Sequence, residues 1–464
     1  MSNTFCIIPW IHAQTKPDGQ IKPCCRFDTK HPDYKTDKGF KFDKFNVDNI
    51  SFTDTINSAE WTEIRDTILA GERVPGCRKC YQEDDFQFNY QDDSKKRLKS
   101  MRVKENWMWN KNVQTELIEE NKDIKLKYLE LAFGNHCNLK CRTCNGSLST
   151  TWYEDDNKLA PYYSDRKSHE EAVNVDNNWV IDDFKDAEEI KFTGGEPMLH
   201  PNFIKTIDMI ISTGRQHLIT LDIFTNASWI PRDKVLDRLK QFKQVTINLS
   251  IDGIAHINDY IRFPSEWATV DASVKEWLLT EKYLPDTFVI KWAPVISVFN
   301  VWVFHKMIEW WFGLQKEVKY IEWWDSLAAT DDNNNPFTTM IVNIVYDPKY
   351  LNPSLYPNKK LLIHKLLTHR DEWMTKMNAV TGIDAQKMIS AEMSLFGVYN
   401  KVVSSLNSKD EEIDMDLLKF VTLTVFQDTN GWLNNTNQYT DFTVTPTTGV
   451  LDGGTITVYG YRKG

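Results

Sequence analysis

Three cysteines within one short segment have the most specific spacing in this 464-residue chain. Cys137, Cys141 and Cys144 are separated by three and then two residues, directly after the apolar run 129–133. A cluster of four irons and four sulfurs takes one cysteine per iron, so three thiolates leave one iron open to another ligand. The spacing therefore favours an iron-sulfur cluster that can bind a small molecule.

A zinc site, or a set of unrelated buried cysteines, is the alternative interpretation of the same segment. Zinc usually takes four ligands, and this segment offers three thiols. His136 is a candidate for the fourth ligand, but its neighbour Cys137 already occupies the same side of the turn. We therefore prefer the cluster.

The segments around these cysteines alternate between strand and helix patterns. Apolar or β-branched runs predict six strands at 128–133, 189–192, 218–224, 244–249, 288–298 and 318–323. Helical patterns lie between them at 202–212, 232–241, 270–279 and 302–311. Six strand-helix units predict an α/β fold in which a parallel sheet curls into a partial (β/α)6 barrel. Active sites of such folds lie at the carboxyl ends of the strands.

Polar motifs follow the predicted strands at those ends. Two glycines let the backbone approach a ligand, a carboxylate accepts hydrogen bonds from an ammonium group, and an arginine binds a carboxylate through two donors. Each motif alone is more often a turn or a cap, but their joint order favours a cofactor site. The residues are Gly194, Gly195, Glu196, Asn226, Ser250, Asp252, Arg262 and Asn300.

The cysteine spacing and these motifs together resemble the radical S-adenosylmethionine (SAM) superfamily. The resemblance implies that SAM binds the open iron of a 4Fe-4S cluster and is reductively cleaved to a 5'-deoxyadenosyl radical, which abstracts hydrogen from a substrate. It also implies that Gly194, Gly195 and Glu196 bind the SAM amino group. Among the other residues, Arg262 would bind the SAM carboxylate, Asn300 would border the adenosine, and Asn226, Ser250 and Asp252 would line the site.

One position departs from the family pattern. The residue before the last cluster cysteine is usually aromatic in the family, and here it is Thr143. We therefore expect adenine stacking to come from another residue, with Phe133 and Trp152 as the candidates.

A second cysteine set lies near the N-terminus, at Cys6, Cys24, Cys25, Cys77 and Cys80. An Asp-Gly turn at 18–19 predicts a hairpin that brings Cys6 near Cys24. Segment 51–71 is helical by pattern, with Thr53 and Ser58 as N-caps, and it returns the chain to Cys77 and Cys80. Four thiolates satisfy zinc as well as a cluster, so both interpretations stay open here.

Residues 5–85 resemble the auxiliary-cluster module of the SPASM and twitch group of radical SAM enzymes. The module precedes the barrel here, whereas it usually follows it, and the cysteines of a second auxiliary cluster are missing. The resemblance implies one auxiliary 4Fe-4S cluster on Cys6, Cys24, Cys77 and Cys80. The choice between Cys24 and Cys25 stays open. In that group an auxiliary cluster suits oxidations or cross-links on peptides, with sugar and alcohol oxidation as relatives.

Composition limits the partners and the location. The net charge of −10 comes without a basic stripe, which argues against a nucleic-acid partner. No segment reaches the roughly 18 apolar residues of a membrane span. Seven of the eight cysteines fall into cluster-like spacings, which predicts reduced thiols in a cytoplasm. The expected partners are SAM, a low-potential reductant such as flavodoxin or ferredoxin, and an unknown peptide or sugar-like substrate.

The sequence predicts five regions. They are an auxiliary iron-sulfur module (1–85), a charged helical connector (86–123), the radical SAM partial barrel (124–330), a helical extension (331–419) and a β-rich tail (420–464). The expected function is that of a radical SAM oxidoreductase or modifying enzyme, and no catalytic acid or base is identified. The alternative is a non-catalytic iron-sulfur or zinc scaffold, which would have no reason to keep Glu196, Asp252 and Arg262 together.

Overall fold

The computed structural model describes residues 4–30, 42–89, 124–161, 179–229, 234–328, 339–346, 348–380 and 385–407. The predicted tail at 420–464 and most of the predicted connector at 86–123 lie outside these ranges. The strands are β1 (His12–Thr15), β2 (Ile21–Lys22), β3 (Tyr128–Ala132), β4 (Glu189–Thr193), β5 (Thr220–Thr225), β6 (Gln244–Leu249), β7 (Phe288–Trp292), β8 (Val295–Ile296) and β9 (Asn343–Ile344).

The helices of the N-terminal half are α1 (Ile8–Ile11), α2 (Phe52–Ile56), α3 (Ala59–Leu69), α4 (Arg78–Asn89), α5 (Tyr153–Leu159) and α6 (Pro201–Ser212). Those that follow are α7 (Lys234–Leu239), α8 (His256–Ile261), α9 (Trp267–Tyr283), α10 (Phe304–Leu314), α11 (Trp323–Ala328), α12 (Lys359–Asn378) and α13 (Ala385–Leu406). No helix within the described ranges is long and apolar enough to cross a membrane.

One sheet joins the N-terminal module to the barrel. Its strand order is β2-β1-β3-β4-β5-β6-β7, and β1 and β3 to β7 pair in parallel. The predicted parallel α/β sheet and the predicted hairpin are both confirmed, since β2 pairs antiparallel with β1 through Gln14 and Lys22. The pairing of β1 with β3, which sets His12 beside Tyr128, was not predicted. It covers the edge of β3, a position where unpaired backbone groups would otherwise invite association.

The sheet has one apolar and one polar face. Leu131, Phe192 and Ile223 on the apolar face are fully buried, and they belong to one core with Phe203 of α6 and Trp277 of α9. Successive side chains of a strand point to opposite faces, so every second residue of β4 and β5 lies on the other side of the sheet. We call that side the polar face, and it carries Gln14, Glu130, Lys191, Asp222 and Asn248.

The predicted sixth strand at 318–323 is wrong. A π-helical turn (Gln315–Lys319) extends α10, and Tyr320 then adopts a left-handed conformation with φ of 60°. Trp323 begins α11 and packs its ring 5.4 Å from Phe312 and 5.5 Å from Trp373. The aromatic residues of this segment therefore serve helix packing, which overrides their strand propensity.

A strand from the predicted helical extension runs beside β7 and β8, where the predicted sixth strand was expected. The backbone N–H of Trp292 donates to Thr339 at 2.8 Å, and that of Ile341 donates to Trp292 at 2.8 Å. Further along, β8 pairs in parallel with β9. The β-branched run at 341–345 is the sequence signal for this strand. The predicted helices of the extension are confirmed in α12 and α13, as far as residue 407.

Helix capping in the N-terminal module corrects one prediction and confirms another. Ser51 caps α2 by accepting from the N–H of Asp54 at 3.0 Å, so the prediction of Thr53 as a cap is wrong. Thr53 lies inside α2, and its N–H and hydroxyl both donate to Asp183 at 3.0 Å. Ser58 caps α3 as predicted. These caps fix the helix pair that returns the chain to the second cysteine pair.

Candidate functional site

The cluster loop, residues 133–144 after β3, is held by backbone hydrogen bonds to the end of α8. Lys140 donates its N–H to Phe263 at 2.7 Å, and Arg142 donates its N–H to Ile261 at 2.7 Å. The indole of Trp152 donates to the carbonyl of Cys141 at 3.1 Å. The loop therefore keeps its shape through bonds to two separate elements.

The three cysteines of this loop are half-buried. Burial raises the pKa of Cys141 to about 12, despite the opposing effect of the Arg262 charge. Burial also raises the pKa of Cys137. Thiols with raised pKa values are poor free nucleophiles, but a metal ligand must be a thiolate, and metal binding displaces the proton. This environment suits metal ligation better than nucleophilic catalysis.

Arg262 lies beside the cluster loop and is held by Asp252. Its Nε is 2.8 Å from Oδ2 of Asp252, and its Nη1 is 3.9 Å from Sγ of Cys141. Burial acts against the charge of Arg262, but Asp252 and Cys141 outweigh it and raise its pKa. The other oxygen of Asp252 accepts from the N–H of Val295 at 2.8 Å. Asp252 thus has protein partners on both oxygens and positions a permanent cation next to Cys141.

The Gly-Gly-Glu turn after β4 packs directly on the cluster loop. Gly195 donates its N–H to the carbonyl of Gly134 at 3.3 Å, and Glu196 donates its N–H to that of His136 at 2.9 Å. A Cβ atom on Gly195 would lie 2.2 Å from the His136 oxygen, and Gly194 has φ of 116°. Only glycine fits this approach and this conformation. The turn brings the carboxylate of Glu196 next to the cluster loop.

Glu196 has an unsatisfied buried oxygen. Its Oε2 accepts from the backbone N–H of Asn226 at 2.7 Å, whereas Oε1 is buried and has no hydrogen-bond partner among the described residues. Burial raises the pKa of this carboxyl to about 7, against the lowering effect of hydrogen bonds from Asn226, Thr225 and Met198 and of the Arg262 charge. An orphaned buried acceptor is costly unless a donor approaches it. The site therefore has a specific place for a positively charged donor.

Three other predicted site residues brace the strand ends. The side-chain amide of Asn226 donates to Oδ1 of Asn138 at 2.8 Å, which joins the end of β5 to the cluster loop. Ser250 donates its N–H to Thr225 at 2.8 Å. The amide of Asn300 is fully buried. Sequence analysis missed Asn138, and its only signal was an amide side chain within the cysteine loop.

Asn300 uses both of its donors inside the protein. Its Nδ2 donates to the carbonyls of Asp252 at 2.7 Å and Val295 at 2.8 Å, and its Oδ1 accepts from the N–H of Ser297 at 2.7 Å. These bonds fix the backbone around Asp252. Asn300 therefore suits a positioning role, and donation from its amide nitrogen to a ligand would require breaking one of these bonds.

The two candidates for adenine stacking have different surroundings. Phe133 is stacked on Phe192 and His200 with ring centroids 5.7 and 5.5 Å apart, which places it in the core. Trp152 is also buried, but its indole bonds the cluster loop. Of the two, the Trp152 side chain bonds the cluster loop, whereas the Phe133 ring packs into the core.

The N-terminal cysteines meet at a second location. Cys6, Cys24, Cys77 and Cys80 line one small cavity together with Ile8, Arg26 and Phe27. Burial, reinforced by the neighbouring Cys25, Cys77 and Cys6, raises the pKa of Cys24 well above its usual value. Cys25 is exposed and does not line this cavity. The fold thus gathers the four cysteines that the sequence grouped and separates Cys24 from Cys25.

No group of three or more His, Cys, Asp or Glu side chains within the described ranges is arranged to hold a single metal ion.

Comparison with known proteins agrees with this arrangement. Residues 131–277 match the radical SAM superfamily, and residues 6–81 match the SPASM iron-sulfur cluster-binding domain. The two matches cover separate parts of the chain, and neither reaches half of it. The radical SAM domain implies a 4Fe-4S cluster and SAM, and the SPASM domain implies auxiliary iron-sulfur ligation.

An uncharacterized protein of Methanocaldococcus jannaschii is 30% identical over 138 residues, which cover 30% of this chain and 42% of that protein. The match thus spans less than half of that relative's length.

Two solved structures are also similar to parts of this chain. One is anSMEcpe, an anaerobic sulfatase-maturating enzyme, with bound AdoMet and peptide. It is 16% identical to this chain with a TM-score of 0.31. The match covers 54% of this chain and 60% of that one. The other is Streptococcus suis SuiB bound to S-adenosylmethionine, which is 13% identical with a TM-score of 0.32, over 72% of this chain and 64% of that one.

The donor set of the site fits the implied cofactors. Three cysteines on one loop leave one iron of a 4Fe-4S cluster open. Beside this loop, the unpartnered Oε1 of Glu196 suits an ammonium group, and the buried cation of Arg262 suits a carboxylate. SAM carries both groups on its methionine part. The charges of the site are therefore complementary to that part of SAM.

Proposed function

We propose that this chain is an enzyme that reductively cleaves SAM and abstracts a hydrogen atom from an organic substrate. The observation that carries the proposal is the unpartnered Oε1 of Glu196, buried beside the loop of Cys137, Cys141 and Cys144. When bound, the reduced cluster and SAM supply the 5'-deoxyadenosyl radical that takes the hydrogen atom. The protein supplies binding, orientation and a dry environment.

Each residue of the site has a proposed role. Cys137, Cys141 and Cys144 hold three irons. Glu196 accepts a hydrogen bond from the SAM ammonium group at Oε1, and Gly194 and Gly195 let the backbone approach it. Arg262, held by Asp252, attracts the SAM carboxylate. Asn226, Ser250 and Asn300 keep the strand ends in register around these groups.

The cavity of the N-terminal module is the proposed site of an auxiliary 4Fe-4S cluster on Cys6, Cys24, Cys77 and Cys80. Cys6 precedes β1 and Cys24 follows the antiparallel β2, so both lie at the amino end of the parallel strands. The cluster loop follows the carboxyl end of β3. The two sites are thus separated along the strands, an arrangement suited to electron relay across a substrate between them.

Substrate and redox partner are part of the proposal at the level of class. The substrate is peptide or sugar-like, and a flavodoxin- or ferredoxin-type protein supplies low-potential electrons. The proposed location is a reducing cytoplasm, because cluster ligation requires the cysteines as thiolates without disulfides.

The test is anaerobic reconstitution with iron and sulfide, followed by dithionite, SAM and an assay for 5'-deoxyadenosine. We expect about eight irons per chain, four for each cluster, and formation of 5'-deoxyadenosine. Cys141→Ala should abolish SAM cleavage and retain the auxiliary iron. Bound zinc with no 5'-deoxyadenosine would instead support the alternative of a non-catalytic scaffold.

A further inference from the structure

A short segment after the cluster loop holds that loop through three side chains. The hydroxyls of Ser149 and Thr151 both donate to the carbonyl of Leu139, at 2.5 and 2.6 Å. The indole of Trp152 donates to the carbonyl of Cys141 at 3.1 Å. These side chains thus bond two carbonyls of the cluster loop, and one of the carbonyls receives two donors.

Ser149 does not cap a helix, although its position is that of a cap. It is the N-cap residue of the 3₁₀ turn Thr150–Trp152, where a serine side chain usually accepts from a backbone N–H. Its side chain makes no such bond. Ser149 is buried, and its own N–H donates to the carbonyl of Asn145 at 3.0 Å, which fixes its position. The hydroxyl is therefore directed at the cluster loop and is not used for capping.

The carbonyl of Leu139 does not depend on Ser149 alone. A hydroxyl has one proton to donate, and that of Thr151 already satisfies this carbonyl. The hydroxyl oxygens of Ser149 and Thr151 are 2.7 Å apart, so Thr151 is a second acceptor for the Ser149 proton. Ser149 can therefore redirect its proton without leaving a buried carbonyl unpaired, which would be costly.

The third acceptor within reach of Ser149 is the sulfur of Cys137. The backbone N–H of Leu139, the residue whose carbonyl Ser149 binds, lies 3.5 Å from this Sγ. Burial and the charge of Glu196 raise the pKa of the Cys137 thiol. Hydrogen bonds from Leu139 and Ser149, with the charge of Arg262, lower it. The Ser149 hydroxyl thus already influences the sulfur while its shortest bond goes to the carbonyl.

We propose that Ser149 is a positioning residue that donates its proton to Sγ of Cys137 once this sulfur is a cluster-bound thiolate, and thereby raises the reduction potential of that cluster. The inference rests on the proposed function and adds a residue to it. A neutral thiol is a weak acceptor, whereas a thiolate takes a charge-assisted bond that is roughly twice as strong. The proton of Ser149 then moves to the sulfur, and Thr151 keeps the Leu139 carbonyl paired.

A donor at a ligand sulfur favours the reduced state of a cluster. Reduction adds one negative charge to the cluster and its thiolates, so the donor stabilises the reduced state more than the oxidised one. Arg262 already places a cation 3.9 Å from Sγ of Cys141. Ser149 serves Cys137 in the same sense, as a neutral donor at a second sulfur. Both groups make the first electron easier to transfer to the cluster.

The test is a redox titration of the anaerobically reconstituted protein without SAM, followed by electron paramagnetic resonance. The relevant cluster is the one whose signal changes when SAM is added afterwards. We expect Ser149→Ala to lower its potential, because the reduced cluster loses a donor. At a fixed solution potential the ratio of reduced to oxidised cluster should fall roughly three- to tenfold, and tenfold corresponds to about 59 mV for one electron.

Thr151→Val separates a bond to the sulfur from general support of the loop. The variant keeps the shape of the side chain but removes the second donor of the Leu139 carbonyl, so Ser149 must keep its proton there. We expect a shift in the same direction as in Ser149→Ala, and no further shift when the two substitutions are combined. Additive shifts would mean that each hydroxyl acts independently through the backbone, and they would overturn the proposal. If Ser149→Ala does not retain its iron, Thr151→Val decides alone, and an unchanged potential there overturns the proposal.

Ser147→Ala is the matched control, because Ser147 is an exposed serine between the last cluster cysteine and Ser149. Its cluster potential should equal that of the unmodified protein. An unchanged potential in Ser149→Ala, or an equal shift in Ser147→Ala, contradicts the proposed bond. The proposed function is scored separately, by iron content and by 5'-deoxyadenosine formation with dithionite and SAM. Normal 5'-deoxyadenosine formation with an unchanged potential overturns only the inference, whereas the lack of any SAM-responsive cluster overturns both.

Discussion

Gly195 approaches His136 so closely that a methyl group on it would lie 2.2 Å from the His136 carbonyl oxygen. This contact joins the turn after β4 to the cluster loop after β3. It explains why the turn needs glycine at that position. The same contact sets the location of Glu196, the next residue, relative to the three cysteines.

Gly195→Ala should therefore disturb the cluster loop directly. We expect a loss of about 2–4 kcal/mol in stability, because the clash is with backbone and cannot be relieved by a side-chain rotation. Thermal unfolding of the apoprotein measures this loss. Gly313→Ala is the control, since Gly313 lies in α10 with no atom within 4 Å of the added Cβ, and alanine there should be neutral or slightly stabilising. Equal melting temperatures for both variants would contradict the contact.

Glu196→Gln should weaken SAM binding roughly 10–100-fold, because the glutamine offers no charge to the ammonium group. Equilibrium dialysis of radiolabelled SAM against the reconstituted protein measures the change. The control is Glu188→Gln, which removes an exposed carboxylate that pairs with Lys127. An unchanged SAM affinity in Glu196→Gln would remove the central support for the proposed site.

Glu196 should also make the stability of the apoprotein depend on pH. Its folded pKa is about 7, above the ordinary value of 4.5, because burial favours the neutral form. Between these values the native state holds a proton that the unfolded state has lost, so stability falls as pH rises. The expected contribution is at most about 3 kcal/mol, complete below pH 4.5 and lost above pH 7. The free energy of unfolding, measured in urea across this pH range, should fall less in Glu196→Gln than in the unmodified protein.

Cys24→Ser and Cys25→Ser should separate the two adjacent cysteines. Cys24 lines the cavity with Cys6, Cys77 and Cys80, whereas Cys25 does not. We therefore expect iron in the reconstituted protein to fall from about eight to about four per chain in Cys24→Ser and to stay unchanged in Cys25→Ser. Iron and sulfide analysis gives the answer, and the reverse result would exchange the two assignments.

Asn300→Ala should lower the stability of the protein and change its SAM affinity only indirectly. The variant leaves the carbonyl of Asp252 and the N–H of Ser297 without their partner, which we expect to cost about 2–3 kcal/mol in the free energy of unfolding. Asn57→Ala, which removes one exposed amide bond to Thr53, should cost much less. If Asn300→Ala kept full stability while losing SAM affinity, Asn300 would contact SAM directly.

The candidate residues of the barrel site could be picked from the sequence because they occur in local motifs. Cys137, Cys141 and Cys144 lie on one loop, so their spacing is visible in the sequence. The polar residues of the site follow strands that the apolar pattern predicts. The hairpin turn at 18–19 and the cap at Ser58 are local in the same way, and the structure has both. The segment 318–323 was wrongly predicted as a strand because its aromatic residues pack between helices. Apolar content alone does not distinguish a core helix from a strand.

Long-range contacts were decided only by the tertiary structure. The pairing of β1 with β3 connects residues more than a hundred positions apart, and no local propensity encodes it. The same pairing places Gln14 beside Glu130 on the polar face of the sheet, a juxtaposition that no sequence motif contains. The sequence by itself determined which residues are the candidates for cluster ligation, because ligand spacing is local. The structure decided which of the remaining polar residues share a surface, because that depends on register between distant strands.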